Sequence, residues 1–169
     1  MFGIPDDDVL LAVGKVTIRH GHLDHILRMT IKTLGGLSIE DALDATSRQG
    51  SHELRKRIHK IANQKFGEGA VLLKLQAILE RAQRLTQQRN QMIHSLWGRD
   101  LDDDIPVVRK DDHSWETAPS SEDINNLSSK IEKITKELNM ARQEGFIFEA
   151  LNREGQIEAN AHRDAAPGS

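Results

Sequence analysis

The chain has 169 residues, a formal net charge of −3 with histidine neutral, and no cysteine. This length fits one domain with a continuous apolar core, and the lack of cysteine excludes disulfides, thiolate metal sites and cysteine nucleophiles. A molecule with a net negative charge is not a polycation that coats nucleic acid without specificity. The N-terminus is acidic where a signal peptide would be basic, and no apolar run approaches the ~20 residues of a membrane span. We therefore expect a cytoplasmic protein without membrane contact.

The first predicted element is a long helix. The aspartates at 6–8 follow a proline and suit a helix N-terminus, where carboxylates accept hydrogen bonds from free backbone amides and complement the helix dipole. Apolar residues then recur at helical spacing, and His20 falls on the same stripe. The stripe consists of Val9, Val13, Val16, Leu23, Leu27, Ile31 and Leu34. Gly35-Gly36 predicts the end of this helix.

Three further helices are predicted before residue 99. Ser38, with an acid three residues later, indicates the start of a second helix that ends by Gly50. A third helix is expected after Ser51 and ends at Gly67. The fourth is long and runs from about Val71 to Gly98, although glutamines and arginines interrupt its apolar face between positions 85 and 92.

Residues 99–118 have a different pattern. The aspartates at 102–104 and Pro106 disfavour a helix, and Val107, Val108 and Trp115 flank a polar turn around 111–112. Strand-forming residues on both sides of a polar turn predict a short β-hairpin or an ordered loop.

Helical periodicity returns after Pro119-Ser120 and continues to Gly145, which either kinks or ends the helix. We expect some further packing by residues 146–151. These elements predict an all-α helical bundle of about five helices with a small hairpin or loop insertion at 99–118. We expect a single domain over residues 1–151 and a polar C-terminal tail over 152–169 that frays. No glycine-rich phosphate loop follows a predicted strand, which disfavours the common nucleotide-binding scaffolds.

A basic segment covers residues 48–65. This segment has two interpretations. It is either a solvated helix face, or Arg55, Lys56 and Arg57 bind the phosphates of a nucleic acid. Trp115, on the predicted hairpin, either packs on the bundle or stacks on a base. These four residues are the candidate substrate-binding residues.

The segment from Arg89 to His94 contains the candidate catalytic residues. Asn90 and His94 are four residues apart and share one helix face, and the long stem of Arg89 can reach the same cleft. Histidine titrates near neutrality and serves as a general acid or base, whereas an arginine fork binds phosphate oxygens. Asn90 can orient the histidine or donate to the phosphate. The alternative interpretation is structural: a capping arginine and a half-buried, hydrogen-bonded histidine.

The R-N-x-x-x-H pattern of Arg89, Asn90 and His94, near the end of a long helix in a small all-helical chain, resembles the HEPN family. That family's signature is an arginine, about four to six residues, then a histidine. The resemblance implies a homodimer whose motif helices face one another, with these three residues catalytic. It also implies RNA cleavage without a metal or cofactor, a role as a toxin or defence effector, and a nucleotidyltransferase-like antitoxin as partner. The insertion at 99–118 departs from the minimal pattern.

Two other functions stay open. Some HEPN relatives keep the fold without catalysis, so the chain could be a helical module that binds a protein partner or a nucleotide. A third interpretation is a dimeric scaffold that associates through residues 124–151. His20, His22 and His25 suggest a metal site, but their side chains point around the helix, so we expect exposed or inter-helix hydrogen-bonding roles and no metal.

Overall fold

The computed structural model describes residues 5–100, 102, 104–110 and 113–164, with side chains as far as residue 156. This part of the chain forms six α-helices and one three-stranded sheet. In chain order they are α1 (Asp7–Gly35), α2 (Ile39–Thr46), α3 (Ser51–Phe66), α4 (Ala70–His94), β1 (Leu96–Arg99), β2 (Pro106–Arg109), β3 (Trp115–Thr117), α5 (Ser121–Gln143) and α6 (Phe146–Asp164). The predicted class, an all-α helical bundle with a small β insertion, is confirmed at the level of these elements.

The sixth helix follows from Gly145, which ends α5 as predicted. The backbone amides of Glu144 and Gly145 both donate to the Met140 carbonyl, at 3.1 and 2.9 Å. A Cβ at Gly145 would lie 3.1 Å from the Cα of Ala141, a tight contact that glycine avoids. α6 then continues to Asp164, beyond the predicted boundary at 151; the division into a domain and a tail stays a prediction.

The chain forms two compact units, and the first contains the described residues up to Leu23 together with Glu80–Thr135. It holds the first part of α1, the last part of α4, the sheet and the first part of α5. The apolar side chains buried here are Ala12, Val16, Leu23, Ala82, Met92, Val108, Ile124, Leu127, Ile131 and Ile134. An ion pair at 2.7 Å also joins Arg19 of α1 to Glu132 of α5.

The second unit contains Asp24–Leu79 and the described chain from Lys136 onward. Its buried apolar side chains come from all six helices and include Leu27, Ile31, Leu34, Ala42, Leu54, Ile58, Ala62, Leu75, Ile78, Leu138 and Ile147. The Ser51 hydroxyl donates to Asp24 Oδ1 at 2.5 Å and so connects the start of α3 to α1.

Two helices begin with the same side-chain cap. The Ser38 hydroxyl accepts from the Asp41 amide at 3.1 Å and donates to the Asp41 carboxylate at 2.7 Å, which confirms the predicted start of α2. At the start of α5, Ser120 and Asp123 make the corresponding pair of bonds at 3.1 and 2.6 Å. Each cap satisfies an amide that the first helical turn leaves unpaired.

Ser120→Ala is expected to lower the free energy of unfolding by about 1 kcal/mol at neutral pH, because the variant loses the cap of α5. Hydrogen bonds from Ser120 also hold the pKa of the Asp123 carboxyl below its usual value. Their contribution is therefore fully present above the usual pKa and is lost as the pH falls through the lowered one.

Denaturant unfolding at several pH values measures both effects, and the difference in unfolding free energy between wild type and variant should narrow as the pH falls through the lowered pKa of Asp123. Ser129→Ala is the control, since Ser129 is exposed on the same helix and its hydroxyl donates to the Asn125 carbonyl. An equal loss in the two variants would contradict a capping role for Ser120.

The fourth helix ends earlier than predicted. α4 stops at His94, and the stretch from Leu96 to Arg99 is a strand instead of a further helical turn. The Ser95 amide and hydroxyl both donate to the Gln91 carbonyl. The amide makes the ordinary i to i−4 bond of the last helical turn, and the hydroxyl is a second donor to the same carbonyl.

Strand β1 is the element that the sequence analysis missed. It pairs antiparallel with β2, with Leu96 opposite Arg109 and Arg99 opposite Pro106. The predicted hairpin of β2 and β3 is confirmed, with Val108 opposite Glu116. Asp111 and Asp112, which were expected at its turn, lie outside the described residues.

Candidate functional site

The last three turns of α4 have an inward face of mixed apolar and polar residues and an outward polar face. Ala82, Thr86 and Met92 are buried, and Arg89 is half-buried on the same side of the helix. Asn90 points outward because it follows Arg89 by one residue, about 100° around the helix. α4 therefore presents an arginine toward the interior of the first unit and an asparagine toward solvent.

The Arg89 guanidinium makes one hydrogen bond within the described part of the chain. Its Nη1 donates to Oδ1 of the neighbouring Asn90 at 2.9 Å. Its Nε is buried and has no hydrogen-bond partner among the residues that the structure describes. A buried donor without a partner is costly, and an anion that accepts from the guanidinium would remove that cost.

His94 is exposed and is the last residue of α4. Together with Gln87, Asn90 and Gln91 it lines an open depression of about 510 Å³. The free carbonyls at a helix C-terminus carry partial negative charge, so the depression lies at the negative end of the α4 dipole.

The three predicted catalytic residues are thus brought together only in part. Asn90 and His94 line the same depression, in agreement with their four-residue spacing. Arg89 is connected to them through its bond to Asn90, but it is not among the residues that line the depression in the described part of the chain. Contact between the guanidinium and a phosphate beside His94 requires the Arg89 side chain to turn outward.

Gln87 and Gln91 are residues of this surface that the sequence analysis did not single out. Positions 87, 90, 91 and 94 are separated by three, one and three residues, the spacing of one exposed helix face. This spacing is the feature of the sequence that could have identified Gln87 and Gln91 as part of the surface. Their amides add donors and acceptors on both sides of Asn90.

The predicted substrate-binding residues lie in both units. In the second unit, Arg55 is only 8% exposed, and burial lowers the pKa of its guanidinium, an effect opposed by nearby carboxylates. Lys56 is exposed, whereas Arg57 donates to the Ala45 carbonyl at 2.7 Å. In the first unit, Trp115 on β3 is 51% exposed. Substrate binding by these residues stays a prediction, and Lys56 and Trp115 present the most accessible side chains.

His20 has the inter-helix role that was expected for this histidine segment. It is 5% exposed, and its Nε2 lies 3.2 Å from the Thr86 hydroxyl of α4. His22 and His25 are exposed. Within the ranges that the structure describes, no three histidine or acidic side chains are grouped closely enough to hold a metal ion.

A second depression of about 290 Å³ lies in the first unit, between the starts of α1 and α5 and strands β1 and β2. Arg99 is held at its edge by an ion pair with Asp6 at 2.9 Å. A hydrogen bond with Ser121 lowers the pKa of the Asp8 carboxyl, which also lines this depression. The polar groups here are thus already engaged with one another, and the depression makes no comparable case for a reaction.

Comparison of the chain with family models, with curated proteins and with solved structures finds no match. No helix in the described residues is both long and apolar enough to cross a membrane. The chemistry of the α4 site is therefore the basis for the function proposed below.

Proposed function

We propose that this chain is a metal-independent endoribonuclease of the HEPN type, in which Arg89, Asn90 and His94 act on one phosphate of RNA. The main support is the position of His94, which is exposed at the end of a long helix and shares a polar depression with Asn90. Side chains on a regular helix are held more precisely than those on loops, which suits a catalytic site.

In the proposed reaction, a ribose 2′-oxygen attacks the adjacent phosphorus and the bond from phosphorus to the 5′-oxygen breaks. His94 accepts the proton of the 2′-hydroxyl as general base. A second imidazole or a water molecule returns a proton to the departing 5′-oxygen. The products are a 2′,3′-cyclic phosphate and a 5′-hydroxyl end, so neither oxidation nor a cofactor is needed.

Arg89 has the chemistry to stabilise the charge that develops on the phosphate. A guanidinium fork matches two phosphate oxygens and remains cationic. The proposal requires Arg89 to exchange its bond with Asn90 for bonds to the phosphate. Its Nε, which has no hydrogen-bond partner among the described residues, supports that exchange because the present position leaves a donor unsatisfied.

The proposed enzyme acts as a homodimer. Among the residues that the structure describes, only residues of α4 line the depression beside His94, and they form one wall of an open surface. A second copy of the motif helix would supply the facing wall and the second imidazole. In line with the HEPN resemblance, we place the activity in the cytoplasm, as a toxin or defence effector controlled by an antitoxin protein.

The purified protein is expected to cleave single-stranded RNA in the presence of EDTA and to leave 2′,3′-cyclic phosphate ends. RNA of the same sequence with 2′-O-methyl groups should stay intact, because methylation removes the attacking hydroxyl. Gel electrophoresis and mass spectrometry of the fragments measure both results. Cleavage that requires an added metal ion would contradict the mechanism, and no cleavage of a random RNA pool would contradict the activity.

The second candidate is a non-catalytic helical module that binds a protein partner or a nucleotide through the same surface. The observation that favours it is the placement of Arg89, which is half-buried, bonds to its neighbour Asn90 and does not line the described depression with His94. In such a module Arg89 would stabilise the fold, and RNA would bind without being cut.

A further inference from the structure

One face of α1 in the first unit carries two large apolar side chains and two glycines, all exposed. Leu11 and Ile18 are 62% and 63% exposed, and Gly14 and Gly21 are exposed between and beyond them. Spacings of three and four residues place the four positions in one line along the helix. Val16, on the other side of α1, is fully buried. We call Leu11, Gly14, Ile18 and Gly21 the α1 stripe.

The described fold gives no reason for the two glycines. A Cβ built at Gly14 or Gly21 meets no atom within 4 Å, and alanine is a better helix former than glycine. Exposed leucine and isoleucine side chains on the same line leave apolar surface in water. Glycines beside large apolar residues allow the backbone of another helix to approach closely, so the stripe is suited to a helix from outside this unit.

We propose that the α1 stripe binds the α1 stripe of a second copy. The two helices are antiparallel, and the two-fold axis between them crosses the stripe at the level of Val16 along the helix. In this register, positions equally far from Val16 face each other. Leu11 faces the partner's Gly21, and Ile18 faces the partner's Gly14. Every large side chain then lies over a glycine, and symmetry repeats each contact. A parallel in-register pair would instead place large on large and glycine on glycine, which leaves voids.

The size of the stripe predicts a weak dimer. From Leu11 to Gly21 the helix is ~15 Å long, so one helix pair covers much less than the ~800 Å² per partner of a standard stable interface. We expect a dissociation constant of about 1 µM and therefore association that depends on protein concentration.

This surface differs from the one that the proposed nuclease needs. The stripe lies on the side of α1 opposite Val16, away from the core, and none of its residues belongs to the Arg89–His94 segment. The inference does not rest on the proposed function. Loss of RNA cleavage would leave it unchanged, and failure to associate through α1 would leave the chemistry of α4 unchanged.

Disulfide cross-linking tests the register directly, because the chain contains no cysteine of its own. Leu11→Cys protein is mixed with tagged Gly21→Cys protein at about 100 µM under mild oxidation, well above the expected dissociation constant. The mixture should give a cross-linked pair of mixed mass. Leu11→Cys alone should not, because the two copies of position 11 would lie ~15 Å apart, beyond the ~7 Å reach of a disulfide.

Cross-linking of Leu11→Cys with itself, without the mixed product, would overturn the antiparallel register. No cross-link in any mixture would overturn the proposed surface.

Sedimentation equilibrium of uncrosslinked protein gives an independent measurement. Gly14→Leu fills the space for the partner's Ile18 and should lower the association constant about tenfold or more. Gly155→Leu is the matched control, since Gly155 is an exposed helical glycine whose Cβ would also meet nothing; it should associate as wild type does. The exchange variant with Gly14→Ile and Ile18→Gly should recover association, because it swaps the members of one facing pair.

A Gly14→Leu protein that associates as tightly as wild type would contradict the register. The dimer itself would be contradicted if the wild-type protein stays monomeric at 200 µM, which is about two hundred times the expected dissociation constant. Helix content measured by circular dichroism checks that each variant is folded.

Discussion

His94→Ala is expected to reduce RNA cleavage by about 10²- to 10⁴-fold, the range that a general acid or base contributes. The variant loses the group that takes the proton from the 2′-hydroxyl. Because the His94 side chain is exposed at the end of α4, its removal should change the free energy of unfolding by less than about 0.5 kcal/mol. Initial rates of cleavage in EDTA and denaturant unfolding of the same preparation measure the two effects.

His25→Ala is the matched control for this variant, since His25 is also an exposed histidine in a long helix. It should cleave RNA at the wild-type rate. Wild-type activity in the His94→Ala protein would end the nuclease proposal.

Replacement of Arg89 has the second largest expected effect. Arg89→Met keeps much of the length of the side chain and removes the charge, and we expect about 10²- to 10³-fold slower cleavage, as for loss of a group that stabilises transition-state charge. Arg89→Lys keeps the charge without the planar fork and should still be slower than wild type by about tenfold or more.

The same variants separate the enzyme from the binding module. The half-buried Arg89 has a buried Nε without a hydrogen-bond partner among the described residues, so Arg89→Met should leave the free energy of unfolding within about 1 kcal/mol of wild type. A structural arginine would instead give a larger loss of stability in both variants. Thermal and denaturant unfolding distinguish these outcomes.

Arg84→Met provides the control for a change of charge on the same helix, because Arg84 is exposed on α4 outside the motif. It should cleave RNA within about twofold of wild type. Equal losses of activity in the Arg84 and Arg89 variants would indicate a general effect of positive charge on RNA binding and not a specific role for Arg89.

The positions of most helices could be predicted from local sequence because the signals are local. The caps at Ser38 and Ser120, the glycine after α3 and the glycine after α5 all act within one turn of the residues they order. Strand β1 could not be predicted in this way. Its Leu96 and Trp97 continue an apolar helical pattern, and only pairing with β2, about ten residues later, makes them a strand.

The candidate site, like the fold, could be predicted from the sequence only in part. The shared face of Asn90 and His94 follows from their spacing on a helix, and the structure places them in one depression. The burial of Arg55 and the inward position of Arg89 were not foreseen. Spacing determines which side chains share a face, but it does not determine which face is covered by the rest of the chain.

The sequence by itself therefore determined the all-α class, the helix starts and most helix ends, and the set of polar residues that end α4. Tertiary structure decided that α4 stops at His94, that the His94 imidazole is exposed, and that the Arg89 guanidinium lies half-buried against Asn90. The physical reason is that periodicity and capping are short-range properties of the chain. Burial and strand pairing depend on residues that are distant in sequence and meet only in the folded protein.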